Sequence, residues 1–208
     1  MVESSRDRTG RGAQDQLADG NARFLDAIQQ SPEPALVTAS LAVADPYAIV
    51  LGCSDSRVPP EIVFDESVGR LFVIRVASNV AGNAETGTIE YALARWGCPL
   101  LVVLGHTQCG GVAAAMDRLP PGADPPPSAA GAVALTSLLS SIHANLGWTP
   151  ESASTDPWRD AVRRNVRRTI EQLRAWSMPI RHRVDSGELR IVGAIYDVET
   201  GVVEFLES

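Results

Sequence analysis

The amino-acid sequence predicts an α/β protein: a mainly parallel central β-sheet flanked by helices, with an N-terminal helical arm and a C-terminal antiparallel hairpin strand. Two short, unbroken aliphatic runs, residues 47–52 and 100–105, are typical of strands buried on both faces, as in a parallel sheet. Such runs alternate along the chain with segments in which apolar residues recur at helical spacing. The 208 residues suffice for one domain with a real core, and no repeat or linker demands a second.

The chain is expected to start with a disordered leader over residues 1–13, followed by a single domain over residues 14–208. The leader is rich in glycine, serine, arginine and aspartate and has no apolar stretch, so we expect no secretory signal. Apolar residues at helical spacing over residues 14–30 predict the helical arm, which Pro32 ends.

Strands dominate the middle of the chain. Three are predicted there, over residues 47–52, 71–76 and 100–105. Pro59 and Pro60 impose an irregular connection after the first strand. Apolar residues from Ile89 to Trp96 predict a helix that Gly97 ends.

The chain after Gly110 is predicted to contain three helices and the last two strands of the sheet. Three helices are predicted to begin near Gly110, Leu135 and Asp156. Between the first two, residues 119–131 are rich in proline and glycine and predict a surface loop. Residues 189–198 read as a strand, and residues 202–206 as the antiparallel hairpin strand that follows it after a turn.

Composition and charge exclude several classes of function. The chain has 18 Lys and Arg against 25 Asp and Glu, and the formal net charge of −7 argues against a nucleic-acid partner. No apolar stretch is long enough to span a membrane, so no membrane partner is expected. The three cysteines cannot all pair with each other, and two have ligand-like spacing, which favours a reducing cytoplasm.

Metal-binding side chains follow both of the buried aliphatic strands. Cys53 comes directly after the first strand, and His106 and Cys109 come after the third. In open α/β sheets ligands bind outside the carboxyl ends of the strands, so these side chains are expected to converge on one crevice. Two thiols and one imidazole suit zinc, and three protein ligands leave a fourth position open for water or substrate. The sequence therefore predicts a catalytic zinc site with one zinc per chain.

The zinc-site prediction is specific because Cys53 and the pair His106-x-x-Cys109 occur together. A lone buried cysteine usually behaves as a small hydrophobic residue, and Cys98, which has no ligand-like neighbour, keeps that interpretation. The pair His106-x-x-Cys109 is weak by itself, but a second ligand after a neighbouring strand makes it specific.

Asp55 and Arg57 add candidate catalytic groups beside Cys53. The Asp55 carboxylate can either bind the metal itself or accept a hydrogen bond from a metal-bound water. Arg57 can hold that carboxylate through two parallel hydrogen bonds and keep it ionised. The alternative interpretation is a structural ion pair at the end of a strand.

Together, the Cys53-x-Asp55-x-Arg57 and His106-x-x-Cys109-Gly-Gly motifs resemble those of the β-class carbonic anhydrases. The resemblance covers nearly the whole folded region. Further similar segments are residues 17–24, 61–65, 75–79, 89–92 and 193–197.

The resemblance implies a zinc enzyme that reversibly hydrates carbon dioxide to bicarbonate and a proton. Zinc would be held by Cys53, His106 and Cys109, with water or Asp55 in the fourth place. Zinc lowers the pKa of its water from ~15.7 to about 7, so hydroxide is available near neutral pH. The resemblance also implies a gate, in which the Asp55 carboxylate closes the site when it binds zinc and Arg57 opens the site by capturing it.

The resemblance further implies an apolar substrate pocket at a subunit interface. Phe72, Tyr91 and Gly110 match pocket positions of the family. The protein is therefore expected to be a homodimer or a higher even-numbered homo-oligomer.

Three positions depart from the pattern of the family. Ala44 stands where many members have a glutamine whose amide binds the substrate oxygen, so substrate binding is expected to be weaker. Ser78 replaces the usual glycine before Asn79. Val50 replaces the tryptophan of members with an allosteric bicarbonate site, so no such site is expected.

Two alternatives to carbonic anhydrase activity remain open at this point. A hydrolase of carbonyl sulfide or carbon disulfide would use the same hydroxide on a related linear substrate, and rates on both substrates separate the two. A non-catalytic zinc protein, structural or sensory, would have four permanent protein ligands and no exchangeable water.

Overall fold

The structure is a computed structural model, and it describes residues 10–30, 44–118, 133–147 and 156–207. The chain divides into two compact units, residues 1–43 and residues 44–208. Helix α1, Gly10–Gln30, is the described part of the first unit.

The helical arm is longer than predicted. Helix α1 begins at Gly10, inside the predicted leader, because helical hydrogen bonds continue for one more turn through residues without apolar periodicity. Residues 1–9 lie outside the described residues, so the leader and the single-domain boundary stay predictions.

The second unit is built on a five-stranded sheet. Its strands are β1 Ala48–Gly52, β2 Leu71–Arg75, β3 Leu100–His106, β4 Arg190–Tyr196 and β5 Val203–Phe205. Their order is β2-β1-β3-β4-β5. The first four strands are parallel, and β5 is antiparallel to β4. This arrangement confirms the predicted fold class, including the C-terminal hairpin.

Strand β1 shows why an unbroken aliphatic run forms here. It lies between β2 and β3, and every one of its residues is buried. Ile49 and Leu51 enter the larger hydrophobic core on one face of the sheet, while Val50 enters a smaller core on the other. Because successive side chains of a strand point to opposite faces, a strand covered on both sides needs apolar residues throughout.

Helices of the second unit flank the sheet. They are α2 Pro60–Val63, α3 Asn83–Trp96, α4 Gly110–Arg118, α5 Val133–Leu146, α6 Pro157–Trp176 and α7 Met178–Asp185, with a 3₁₀ turn at Ala77–Asn79. The predicted helices correspond to α3, α4, α5 and α6. Gly97 ends α3 in the left-handed conformation, as predicted. The predicted loop over residues 119–131 lies outside the described residues.

Two short helices and the 3₁₀ turn were not predicted from the sequence. The segment after Pro59 was expected to be irregular, but Pro60 is the first residue of α2, where its missing N–H is not needed. Ser177 caps α7 by accepting a hydrogen bond from the Ile180 N–H.

Helix α6 packs directly against the strand that carries His106. Asp156 caps it by accepting a hydrogen bond from the Arg159 N–H, as the predicted start near Asp156 requires. A Cβ atom at Gly105 would lie 2.7 Å from Cγ2 of Val166, so only glycine allows this close approach of helix and sheet.

Candidate metal centre

Three metal-binding side chains meet at the carboxyl ends of two adjacent parallel strands. Cys53 follows β1, His106 is the last residue of β3, and Cys109 lies just before α4. The two sulfur atoms are 4.0 Å apart, and the ligand atoms of all three residues lie within 4.8 Å of one another. All three side chains are buried, with exposed fractions of 5%, 0% and 2% respectively.

The turn between His106 and Cys109 explains how both side chains reach the same point. Gln108 adopts a left-handed backbone conformation with φ of 57° and reverses the chain. The Thr107 N–H donates to the Tyr196 carbonyl, and the Thr107 hydroxyl accepts from the Val198 N–H, which ties the turn to β4. Cys109 then sits at the N-terminal end of α4, where the helix dipole favours a thiolate.

The His106 ring has the hydrogen bonding of a metal ligand. Its Nδ1 lies 2.9 Å from the Thr107 carbonyl oxygen and donates a hydrogen bond to it. Its Nε2 is buried and has no hydrogen-bond partner among the described residues. A buried polar atom without a partner is costly, and a cation held by His106, Cys53 and Cys109 would satisfy it. The donor set of two sulfurs and one imidazole fits zinc.

The two thiols titrate as a pair. The hydrogen bond with Cys109, burial, and the charge on Cys109 all raise the pKa of Cys53. The hydrogen bond from Cys53 lowers the pKa of Cys109 despite burial, and His106 and Ser78 lower it further. Burial opposes a charge on His106, but the adjacent Cys109 outweighs it and raises the pKa of the imidazole. These opposite shifts make Cys109 the thiol of the pair that ionises more readily.

Hydrogen-bond donors from two other loops surround the sulfur atoms. The backbone N–H groups of Asp55 and Ser78 lie 3.5 Å and 3.3 Å from the Cys53 sulfur. The Ser78 hydroxyl lies 3.4 Å from the Cys109 sulfur. Sequence reasoning marked Ser78 only as a departure from a family pattern, and no local signal indicated these contacts.

Asp55 and Arg57 form a two-pronged ion pair beside the candidate metal ligands. Arg57 Nε donates to Asp55 Oδ1 at 3.0 Å, and Arg57 Nη2 donates to Oδ2 at 2.8 Å. The Arg57 backbone N–H also donates to Oδ1, at 2.9 Å. The hydrogen bonds from Arg57 hold the pKa of Asp55 well below its usual range, and the same contact raises the pKa of Arg57. The carboxylate is therefore ionised and directed to Arg57 in this structure.

Two residues that sequence reasoning missed hold the loop from Cys53 to Arg57. Arg75, at the end of β2, donates hydrogen bonds to the carbonyl oxygens of Cys53, at 2.9 Å, and of Asp55. Gln108 accepts from Arg57 at its backbone oxygen, 3.2 Å away. Arg75 was identifiable in principle, because it ends a parallel strand next to the one that precedes Cys53.

Two of the three predicted pocket residues, Phe72 and Tyr91, contact each other within one chain. Gly110 is exposed and follows Cys109 directly. Phe72 pairs with Ile49, toward the opposite end of the sheet from Cys53. The Phe72 and Tyr91 rings are 6.4 Å apart, and Tyr91 is 58% exposed. Their role in a substrate pocket stays a prediction.

The departures at Ala44 and Val50 have simple structural settings. Ala44 is exposed, and its carbonyl accepts a hydrogen bond from the Trp96 indole N–H at 3.0 Å. Val50 is 1% exposed within the smaller core. The weaker substrate binding expected from Ala44 and the lack of an allosteric site expected from Val50 stay predictions.

The parallel sheet with a buried Cys-His-Cys cluster at its carboxyl edge defines an α/β protein with a candidate metal centre. The family model for carbonic anhydrases matches residues 48–203. The chain belongs to the carbonic anhydrase family, and the resemblance inferred from the motifs is confirmed.

Relatives are similar over nearly their full length. Carbonic anhydrase 2 of Mycobacterium tuberculosis is 36% identical over 187 residues, which covers 89% of this chain and 87% of that protein. The carbonic anhydrase of Mycolicibacterium smegmatis is 38% identical over 192 residues, with 90% and 89% covered.

Solved structures share the fold. The β-carbonic anhydrase CcaA superimposes with a TM-score of 0.76 at 24% identity, covering 94% of this chain and 95% of that one. A tetrameric β-carbonic anhydrase of Sordaria macrospora gives a TM-score of 0.72 at 24% identity, covering 95% and 98%. The fold is therefore that of the β-class.

Proposed function

We propose that this protein is a zinc-dependent carbonic anhydrase that interconverts carbon dioxide and bicarbonate, with release or uptake of a proton. The observation that carries the proposal is the buried cluster of Cys53, His106 and Cys109, whose ligand atoms lie within 4.8 Å of one another. Membership of the carbonic anhydrase family supports it. The names of the relatives favour this activity over carbonyl sulfide or carbon disulfide hydrolysis and over a non-catalytic zinc role.

Hydrogen bonds with neighbouring groups orient the proposed ligands and adjust their electron donation to the metal. Zinc, when bound, supplies a Lewis acid that lowers the pKa of a coordinated water to about 7. The Thr107 carbonyl, by accepting from His106 Nδ1, fixes the ring and makes Nε2 more basic. Donors on Asp55 and Ser78 draw electron density from the Cys53 sulfur. This partly offsets the strong electron donation of two thiolates, which would otherwise make the metal less electrophilic.

Asp55 is the residue proposed to orient the reacting water. Paired with Arg57, its carboxylate stays ionised and can accept a hydrogen bond from that water. The same pairing keeps the carboxylate from taking the fourth ligand position itself. In the proposed gate, the Asp55 carboxylate would pair with Arg57 when the site is open and would bind the metal when the site is closed.

The assembly and location are part of the proposal. The exposed ring of Tyr91, in contact with Phe72, offers an apolar surface for a second copy of the chain. The Sordaria macrospora protein of the same fold is tetrameric, which supports a homodimer or a higher even-numbered homo-oligomer. The cysteines are unpaired, and metal-binding thiols need a reducing compartment such as the cytoplasm. No helix in the described segments is long and apolar enough to cross a membrane.

Stopped-flow measurement of carbon dioxide hydration by zinc-loaded protein, over a range of pH, tests the proposed activity. We expect hydration well above the buffer rate, loss of activity after zinc is removed with a chelator, and recovery when zinc is restored. Parallel assays with carbonyl sulfide and carbon disulfide test the alternative substrates. A protein that retains one zinc per chain and hydrates carbon dioxide no faster than buffer would contradict the proposal.

A further inference from the structure

A buried network of polar side chains lies behind the metal centre, on helices α5 and α6. Asn165 Nδ2 donates to the Ser78 carbonyl oxygen at 2.6 Å, and Asn145 Nδ2 donates to Asn165 Oδ1 at 3.0 Å. Asn145 also contacts Thr169 Oγ1 at 3.5 Å and accepts from Gln172 Nε2 at 2.8 Å. Asn165 and Thr169 are completely buried. Buried amides are costly unless they are hydrogen-bonded, so this network holds its members in defined orientations.

Ser78 connects this network to the metal ligands. Its carbonyl accepts from Asn165, while its N–H and hydroxyl lie at the sulfurs of Cys53 and Cys109. The residue adopts a left-handed conformation, with φ of 57°, which residues other than glycine disfavour. Such a conformation persists only where its surroundings hold it in place.

Gly111 provides the space for the serine hydroxyl. A Cβ atom at position 111 would collide with Ser78 Oγ, so the first turn of α4 accepts this hydroxyl only because glycine is there. The Ser78 hydroxyl thus occupies the space beside Cys109 that a side chain at position 111 would fill.

We propose that Asn165 is a positioning residue for the metal centre. By donating to the Ser78 carbonyl, it holds Ser78 in the left-handed conformation that directs the N–H to Cys53 and the hydroxyl to Cys109. Its hydrogen bonds join it to Ser78 and Asn145, so it acts on the metal ligands through Ser78. The inference rests on the proposed zinc function and adds a residue outside the ligand set.

The expected consequence concerns the metal–sulfur bonds. Hydrogen bonds to the sulfurs stabilise their lone pairs and fix their positions. Loss of outer partners of this kind typically weakens metal binding about 10- to 100-fold. Without Asn165, zinc should therefore dissociate faster, and the sulfur-to-metal charge-transfer absorption should move to longer wavelength.

The experiment compares Asn165→Leu with Thr169→Val in the full chain. Asn165→Leu removes the donor to Ser78 and keeps the number of side-chain heavy atoms. Thr169→Val removes another bond of the same buried network without touching Ser78. Zinc release to a chromophoric chelator and the absorption spectrum of the cobalt-substituted protein are measured for both, and circular dichroism shows whether each variant is folded.

We expect zinc release about tenfold faster and a red-shifted sulfur-to-cobalt band in Asn165→Leu, at the lower end of outer-partner effects. Thr169→Val should match the wild type in both readouts. If Asn165→Leu does not fold, Asn165→Ala replaces it, because alanine lacks the donor to the Ser78 carbonyl and adds no bulk to the buried site.

The measurements distinguish failure of the proposed function from failure of the inference about Asn165. A wild-type protein that binds neither zinc nor cobalt overturns the proposed function together with this inference. A wild-type protein that binds both metals, with a folded Asn165 variant of unchanged release rate and spectrum, overturns the inference alone. Equal effects of Thr169→Val and Asn165→Leu also overturn it, because they would assign the network to core packing.

Discussion

The cysteines of this chain have two different environments, and this predicts which of them bind metal. The Cys53 and Cys109 sulfurs face each other at 4.0 Å, whereas the Cys98 thiol donates to the Pro46 carbonyl at 3.1 Å. Cys53→Ser, Cys109→Ser and His106→Ala should each reduce bound zinc and abolish hydration. Cys98→Ser is the matched control, because a serine hydroxyl fits the same space and donates to the same carbonyl.

Zinc content by atomic absorption and hydration rates decide this assignment. Cys98→Ser should retain close to one zinc per chain. The ligand set would be wrong if Cys98→Ser lost zinc while Cys109→Ser kept it.

The Asp55–Arg57 pair predicts a specific pH behaviour. The folded-state pKa of Asp55 is lowered by Arg57, so the pair contributes stability above the unfolded pKa of about 3.9 and loses it as pH falls through the lower folded pKa. From pH 6 to 9 Asp55 therefore stays ionised, so we expect that any change in the hydration rate of the wild-type protein across this range does not come from the titration of Asp55.

Substitution of Arg57 tests the gate in that same pH range. Arg57→Ala removes the fork that holds the carboxylate, so zinc should stay bound while the hydration rate falls across the range. Arg57→Lys restores the charge without the fork and should recover only part of the rate. A zinc-loaded Arg57→Ala protein with full activity near neutral pH would reduce Arg57 to a structural ion pair.

The residues that could be predicted from sequence are those with a local chemical signature. Cys53, His106 and Cys109 follow aliphatic strands, and Asp55 and Arg57 are two and four residues from a ligand. Their partners carry no such signature. Asn165 reaches Ser78 across 87 positions of sequence, and a single asparagine within a helix has no pattern that indicates such a contact.

At the scale of elements, the glycine that precedes His106 sets the distance between β3 and α6. A Cβ at Gly105 would lie 2.7 Å and 3.0 Å from methyl groups of Val166 and Val162. Gly105→Ala should therefore destabilise the protein by about 1–3 kcal/mol through overpacking and weaken zinc binding by displacing His106.

Gly87 in helix α3 is the matched control. It is exposed, and an added Cβ would meet nothing within 4 Å. Gly87→Ala should stabilise the protein by about 0.5–1 kcal/mol, because alanine is the better helix former. Denaturant unfolding of the metal-free variants measures both changes. A Gly105→Ala protein as stable as wild type would show that α6 can move away at no cost.

The elements that could not be predicted from the sequence are short or depend on an unusual backbone conformation. Helices α2 and α7 have four and eight residues, too few for a helical period of apolar residues to be visible. The 3₁₀ turn at Ala77–Asn79 depends on a left-handed Ser78, which the sequence alone disfavours. The long buried strands and helices were predictable because burial itself imposes their patterns.

For the whole molecule, the aromatic cluster of Phe72, Tyr91 and Trp96 predicts the assembly. Tyr91 is 58% exposed and packs edge-on against Trp96, with ring centroids 5.8 Å apart. If a second copy of the chain covers this cluster, Tyr91→Glu should lower the sedimenting mass and reduce hydration, since the proposed pocket lies at the interface. Tyr91→Phe keeps the ring and should behave as wild type. An active Tyr91→Glu protein of wild-type mass would exclude this surface as the contact.

Helix α6 places Asn165 and Val166 next to each other, one bonded to the Ser78 carbonyl and the other packed over Gly105. Both contacts break if helix α6 detaches from the sheet. The helix, the strand β3 and the side chains proposed to bind zinc should therefore open as one cooperative unit. Amide hydrogens throughout α6 should then exchange with solvent more slowly once zinc is bound, including those far from the ligands. Hydrogen exchange followed by mass spectrometry measures this. Slower exchange throughout α6 would show that zinc bound at the cluster stabilises the packing of this helix on the sheet.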